Sequence, residues 1–527
     1  MPFRHGVVSS SHPLASKAGV EVLEKGGNAV DAAVATALTL GTVTPAFCGI
    51  GGGGFALIWL ADERKTIFVD YREQAPHAAS ENMFKLTSDG AVSGNENSMG
   101  YKSIAVPGTV AGHSFMVERF GQLKMRRLFE AAIRHAKKGF TVSKTMAEAW
   151  STSYHKLEPF KSSRSIYLNN GKPFRRGTKI RLAQLSKSLS SIAARGPSEF
   201  YNGPIGRKLV GDMEANNGLV TADDLEQFKP VMREPIRGSY RGFEIISAPP
   251  PSSGGAIIIE TLNILENFQF KHTGAKSPRT FHLLSEALMR GFINCRANIC
   301  DPAFAQVPIE TLTSKNFAQR LVGTIDESKA SLLVEPENIS GVPTSNTSHL
   351  CVVDSDRNVV ALTESIECYF GSGVVVPDTG IVLNDTMHDF DPRPGRLNSV
   401  GPEKIPMSSM SPTIVLRNGI PFLALGSAGS TRIVSSVLQT LLGVLEFDLP
   451  MEKAVGSPRV HIQGDEIEAE SRISKASIDA LQRMGHRVKS KRPRELYFGG
   501  VHAVMIGSDN RVEGVADPRR DGIAFGY

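Results

Sequence analysis

The chain has 527 residues, 41% of them hydrophobic and 21% charged, so it can fill a sizeable core and is not a disordered polymer. Five cysteines (Cys48, Cys295, Cys300, Cys351, Cys368) are odd in number and unlike any metal-ligand spacing. They indicate neither a disulfide scaffold nor a zinc site, and buried thiols are expected. The net charge of +6 hides a basic stretch from Gly121 to Arg181, with fifteen Lys and Arg against three Glu, so the rest carries −6. Little aromatic interleaving and no nucleic-acid motif accompany it, which points to a solvated helical surface and not to a nucleic-acid partner.

In chain order, Ala15 to Lys25 (ASKAGVEVLEK) is amphipathic and ends at Gly26-Gly27. A second helix restarts between Asn28 and Asp31, runs to about Thr42 and stops before Pro45. Its apolar stretch is shorter than the ~20 residues a bilayer needs and carries Asp31, so no membrane span is expected. GIGGGGFALIWL and KTIFVDYRE read as paired strands joined by the polar turn ADERK. Val110 to about Lys187 is mostly helical in pattern, as are AIIIETLNILENF and FHLLSEALMRGFINCRANIC after Pro249-Pro250-Pro251.

From about Lys329 turn formers replace periodicity, the mark of a loop or linker. Two hairpins follow. Thr347 to Val353 pairs with Val359 to Ile366, and PTIVLRNGIPFLALGS turns at Asn418-Gly419. Helices at about Ile433 to Glu446 and Lys475 to Met484, then the strands VHAVMIG and RVEGVAD, complete the chain. Runs of strands separated by runs of helices predict an α/β fold with helices layered outside sheets. The opening MPFRHGVVSSSHPLAS lacks the apolar centre of a secretory signal, so a soluble cytoplasmic protein is the expectation.

Three features could carry chemistry. The cluster Gly49 to Gly54 formally satisfies GxGxxG, but a helix precedes it and a strand follows, the reverse of a dinucleotide site. Close approach of backbones explains it better. In TSNTSH, His349 invites a Ser/His hydrolase reading, yet no GxSxG elbow is present and a satisfied structural histidine is favoured. PMSSMSP and GSAGSTR border strands, and Gly429-Ser430 before a helix offers backbone N–H groups to an oxyanion. An ordinary strand-to-helix turn explains the second equally well.

Together these pieces resemble the γ-glutamyltranspeptidases. The ordered set SSSHPLAS, GGNAVDAAVA, GIGGGGF, VDYREQAP, VPGTVAG, GPSEFYNG, SAPPPSSGG, NILENF, TSHLCVVD, FGSGV, SSMSPTIV and GSAGSTRI covers nearly the whole chain. The resemblance implies a four-layer αββα sandwich of the N-terminal nucleophile hydrolase type, made as a precursor that cuts itself before a threonine. The matching bond is Asn346-Thr347, which would give a large chain of residues 1–346 and a small chain of residues 347–527 interleaved in one domain.

A threonine hydroxyl needs an adjacent base, and a freed α-amino group with a reference pKa of about 7.7 to 8.0 can serve. The resemblance implies Thr347 as nucleophile, Thr363 as its hydrogen-bonding support, and the N–H groups of Gly429 and Ser430 as oxyanion donors. Arg72 matches the family arginine for a substrate α-carboxylate, with Ser408 and Ser409 as hydroxyl partners; the alternative for Arg72 is a surface salt bridge with Glu73 or Asp70. Asp389 matches the acid that receives the α-ammonium. Around it the chain departs from the pattern, with Glu367 in place of asparagine, Ser365 in place of threonine, and Thr386 in place of Gln or Glu.

The implied substrate is a γ-glutamyl amide such as glutathione, with water or an amine as acceptor and neither metal nor organic cofactor. Glu367 and Thr386 keep open another acyl amide, as in an oxamate amidohydrolase or a cephalosporin or glutaryl acylase. An unprocessed, non-catalytic binding relative is the third reading. Between Phe390 and Pro406 the chain has only DPRPGRLNSVGPEKI, shorter than the lid segment of several bacterial relatives, so an open site tolerant of bulky leaving groups is expected.

Overall fold

A computed structural model describes residues 2–270, 273–331 and 345–527. Two antiparallel sheets lie face to face. The first runs, edge to edge, Ile523–Gly526, Val7–Ser10, Ser345–Val353, Val359–Cys368, Gly53–Leu60, Lys65–Asp70 and Val231–Arg233. The second runs Val512–Ala516, His502–Ile506, Ile420–Gly426, Thr413–Arg417, Phe243–Ser247 and Ile236–Tyr240. Helices Pro13–Glu24 and Ala29–Val43 cover the outer face of the first sheet; Gly254–Leu265 and Arg432–Leu445 cover that of the second, with Pro278–Asn298 packed outside them. The result is the expected four-layer αββα sandwich.

Helix Ala29–Val43 is built almost wholly of Ala, Val, Leu and Thr and is buried on nearly every side, as an all-round apolar helix must be. Its acidic residue has a structural use. Asp31 completes a capping box with Asn28 and also accepts from the backbone N–H groups of Gln122 and Leu123. Among the described residues, no helix is long and apolar enough to cross a membrane.

The central pair of the first sheet, Ser345–Val353 with Val359–Cys368, sorts its side chains by the two-residue period of a strand. Leu350, Val352, Val360 and Leu362 join the core under the helices, whereas Cys351, Val353, Val359 and Ala361 join the core between the sheets. Thr347 and His349 belong to the latter set by register and so face the second sheet. There His349 meets Gly426, where any Cβ would collide with its ring.

The glycine run is structural, as its context implied. A Cβ at Gly51, Gly52 or Gly54 would strike the backbone carbonyls of Val382, Ser365 and Thr363 respectively. All five cysteines are buried and unpaired.

Two points differ from the sequence reading, and a third lies largely outside the described residues. The hairpin Ile236–Tyr240 with Phe243–Ser247 supplies two strands of the second sheet where no strand was expected. The stretch from 110 to 187 is a series of short helices interrupted by a small pair, Phe140–Thr141 with Lys179–Ile180. Beyond residue 323, Ala330 N–H bonds the Met484 carbonyl, and most of the expected linker, 332–344, lies outside the described residues.

The close approach of His349 to Gly426 gives a direct test of sheet packing. Gly426→Ala should destabilise the protein by about 1–3 kcal/mol through overpacking. Urea denaturation measures it, and an unchanged midpoint would contradict the described contact.

Candidate active site

Thr347 is buried in the third position of its strand and lies across the ladder from Ser365. Its hydroxyl donates to Ser365 Oγ at 3.4 Å. Thr363 lies across from His349, and its hydroxyl bonds His349 Nδ1 at 2.8 Å. His349 Nε2 lies 3.1 Å from Cys351 Sγ, and burial drives the imidazole far below its ordinary pKa, so the ring is neutral. The histidine that sequence alone favours as structural thus holds the Thr363 hydroxyl.

After Ser365 the strand pairing is interrupted by an irregularity before Cys368. Glu367 sits within it at φ 72°, in the left-handed region that costs an ordinary side chain roughly 1 kcal/mol and that Asn adopts more readily. Its N–H donates to Ser365 Oγ at 2.9 Å, and Cys368 N–H donates to Asp385 Oδ1 at 2.9 Å. Lys156 secures the bend from outside, donating to Asp385 Oδ2 at 2.9 Å and to the carbonyls of Gly371 and Ser98, both at 2.8 Å. Lys156 was not singled out from the sequence, because it lies 229 positions from Asp385.

Arg72 is not on the surface. It is 1% exposed, and its partner is Asp389 rather than Glu73 or Asp70. Nε also donates to the Pro406 carbonyl at 3.1 Å and Nη2 to the Met407 carbonyl at 3.4 Å. Asp70 instead accepts the Arg72 backbone N–H and pairs with Arg233 at 2.7 Å. Burial pushes the Asp389 carboxyl above its usual range, against the pull of Arg72 and of a hydrogen bond with Glu367. A guanidinium and two carboxyl groups therefore form one charged cluster.

Ser408 and Ser409 are placed by another motif. Ser252 forms a bridge with Ser408, and Ser253 donates from its N–H at 2.7 Å and from its hydroxyl at 2.9 Å to the Ser408 carbonyl. SAPPPSSGG thus braces SSMSP, while Ser408 Oγ accepts from Met410 N–H at 3.2 Å. Asn398, also unnoticed in the sequence, donates to the Asp389 carbonyl at 2.7 Å and accepts from Met407 N–H at 3.0 Å. It ties the short segment after Phe390 to both sides of the Arg72 site.

Gly429 and Ser430 turn at φ 123° and 55°, with a Cβ at Gly429 excluded by the backbone of Gly499. Their carbonyls accept from Arg432 and Ile433 N–H at 3.1 and 2.9 Å, which starts helix Arg432–Leu445. The positive end of that helix dipole lies at the turn. A cleft of about 1110 Å³ brings Ser430 and Arg432 together with Glu367, Asp389 and Met407, and the 390–398 segment forms part of its wall.

A four-layer αββα sandwich with a buried threonine near the start of a central strand matches the N-terminal nucleophile hydrolase class. Within that class the chain belongs to the γ-glutamyltranspeptidase family. The family's sequence model, described as gamma-glutamyltranspeptidase, matches residues 15–527. The chain is 36% identical over 540 residues to the glutathione hydrolase proenzyme of Escherichia coli strain K12, covering 99% of this chain and 92% of that one. It is 37% identical over 522 residues to the acylase ACY 1 proenzyme of Pseudomonas sp. strain SE83, covering 98% and 92%. Among solved structures it resembles cephalosporin acylase from Bacillus halodurans, at TM-score 0.91 and 28% identity over 100% of this chain and 96% of that one.

Behind Arg72, the Glu73 carboxyl is fully buried, and burial raises it to about 7 in spite of the nearby guanidinium. The folded protein therefore keeps this proton longer than the unfolded chain, and stability should fall as pH rises from about 4.5 to 7. At about 1.36 kcal/mol per pH unit the contribution is on the order of 3 kcal/mol. Glu73→Gln should lack that decline in urea-denaturation curves taken across pH 5–8, and parallel wild-type and variant profiles would refute it.

Proposed function

We propose that the chain is a self-processing threonine amidohydrolase and acyltransferase that cuts itself at Asn346-Thr347 and then transfers γ-glutamyl groups. In the processed enzyme the α-amino group of Thr347 takes the hydroxyl proton, and Oγ attacks the substrate amide carbon. Negative charge on the carbonyl oxygen meets the N–H groups of Gly429 and Ser430 at the helix terminus. The amine leaves with the proton held by the α-amino group, so that an ester remains on Thr347. Water or an acceptor amine then attacks this ester by the reverse proton path and frees the hydroxyl.

Charge balance around Asp389 carries the choice of donor. With one proton shared between the hydrogen-bonded Asp389 and Glu367 carboxyls, these two and Arg72 sum to zero and offer one cation for a carboxylate and one anion for an ammonium. A γ-glutamyl head bears one of each. Arg72 would hold its α-carboxylate through Nη1, the nitrogen not engaged by Asp389, Pro406 or Met407, with Ser408 and Ser409 beside it, while Asp389 and Glu367 would receive the ammonium. A glutaryl head lacks the ammonium and leaves a carboxyl group without a counter-charge. The acylase relatives and the Glu367 replacement favour a second reading, another acyl amide at the same nucleophile.

A denaturing gel of the purified protein should show two bands, of 346 and 181 residues, and Thr347→Ala should remain a single full-length chain. A full-length wild-type band would refute the cut. Mass spectrometry of the small chain after brief exposure to donor should show a γ-glutamyl adduct, and in a panel of γ-glutamyl anilide, glutathione, oxamate and glutaryl amides the first two should react fastest. Preference for glutaryl or oxamate would establish the second reading. Arg72→Lys should lower kcat/KM for γ-glutamyl anilide roughly 100-fold, because a single ammonium cannot replace the guanidinium at a buried site.

A further inference from the structure

Away from the cleft, three metal-ligating side chains converge from distant parts of the chain. His282 and Glu286 stand four residues apart on helix Pro278–Asn298, hence on one face of it. His486 reaches them from the turn between helix Lys475–Arg483 and strand Arg487–Lys491. All three are buried, and their donor atoms lie within 4.8 Å of one another. None of the three lines the cleft.

The hydrogen bonds around the cluster prepare it for a cation. His282 Nε2 lies 2.8 Å from the backbone carbonyl of Asp326, which can only accept, so the proton sits on Nε2 and Nδ1 presents a lone pair. This is the outer partner that orients a ligating imidazole in metal sites. His282 Nδ1 faces His486 Nε2 at 2.7 Å. Glu286 accepts from Ser331 N–H at 2.9 Å through one oxygen and from Arg290 Nη1 at 2.8 Å through the other. The Ser331 hydroxyl also bonds this carboxylate, so one of its four acceptor sites remains to offer.

We propose that His282, Glu286 and His486 bind one zinc ion, or a divalent transition metal of similar softness, as a structural clamp. Two imidazoles and a carboxylate are a recurrent zinc set, with ligand distances of about 2.0–2.2 Å. The ion replaces the His282–His486 hydrogen bond by two nitrogen bonds, the His486 proton moving from Nε2 to Nδ1, and water completes a tetrahedron. Arg290 beside Glu286 lowers the negative charge available, which disfavours calcium and magnesium and leaves selection to the nitrogen donors. The clamp ties the outer helix Pro278–Asn298, whose later residues Phe292 and Arg296 line the cleft, to the 475–491 region. The cysteine pattern gave no hint of it, because two of the ligands are 204 positions apart and none is a cysteine.

The test uses the full protein, stripped with a chelator and dialysed against zinc chloride. Plasma emission analysis should find one zinc per 527 residues, and cobalt in its place should give the visible bands of a tetrahedral site. Crystals grown with equimolar zinc should show an anomalous peak between His282 Nδ1 and His486 Nε2. Zinc should raise the melting temperature of the wild type but not of His282→Asn/His486→Asn, which should lose the bound metal. Absence of stoichiometric zinc, an anomalous peak elsewhere, or undiminished zinc in a folded double variant would each overturn the proposal. If the double variant does not fold, the anomalous map of the wild type decides alone.

Discussion

The burial of Arg72 is the constraint around which the site is organised. A guanidinium removed from water loses several kcal/mol of hydration, which only close opposite charge and directed acceptors can offset. Asp389 supplies the charge, while the Pro406 and Met407 carbonyls supply acceptors. Each of these comes from a segment that would otherwise be an irregular loop. Asn398 joins two of them, and the bridge between Ser252 and Ser408 holds the chain just beyond. One buried cation thus dictates the path of some twenty residues along the cleft wall.

The second determinant is strand register. Because side chains alternate strictly, a slip of one residue between the 345–353 and 359–368 strands would turn Thr347 away from the second sheet and bring Ser348 in its place. On its other side the 359–368 strand is fixed as well, since Gly52 and Gly54 let the Gly53–Leu60 strand sit against the carbonyls of Ser365 and Thr363 at contact distance. At the end of the pairing, Glu367 departs from regular geometry and delivers its carboxyl to Asp389. Regularity positions the hydroxyl, and its local failure positions the charge.

Much of this was legible in the sequence, for physical reasons that differ by element. The helix ending near Val43, the hairpin at Asn418-Gly419 and the strands flanking Asp354 to Asn358 carry strong local signals of period, cap or turn. The hairpin Ile236–Tyr240 with Phe243–Ser247 did not, because its turn uses Arg241-Gly242 at φ 49° and 85° in place of the usual Asn-Gly. The four-residue strands Val7–Ser10 and Ile523–Gly526 are too short to signal anything alone and exist through pairing with partners hundreds of residues away. The same holds in the site: Arg72 and Asp389 were visible as family positions, but Lys156 and Asn398 act only through contacts that the chain's fold creates.

The order of strands has a kinetic meaning. In the first sheet, segments on either side of residue 347 alternate: Ile523–Gly526, then Val7–Ser10, then the central pair, then Gly53–Leu60 and its neighbours. Under the proposed cut the unfolded state becomes two separate chains, and regaining the sheet would require a bimolecular encounter with correct interdigitation. Folding must therefore precede cutting, and cutting makes folding a one-time event. The proposed nucleophile is released only inside a molecule that has already assembled, so that its appearance records that assembly has succeeded.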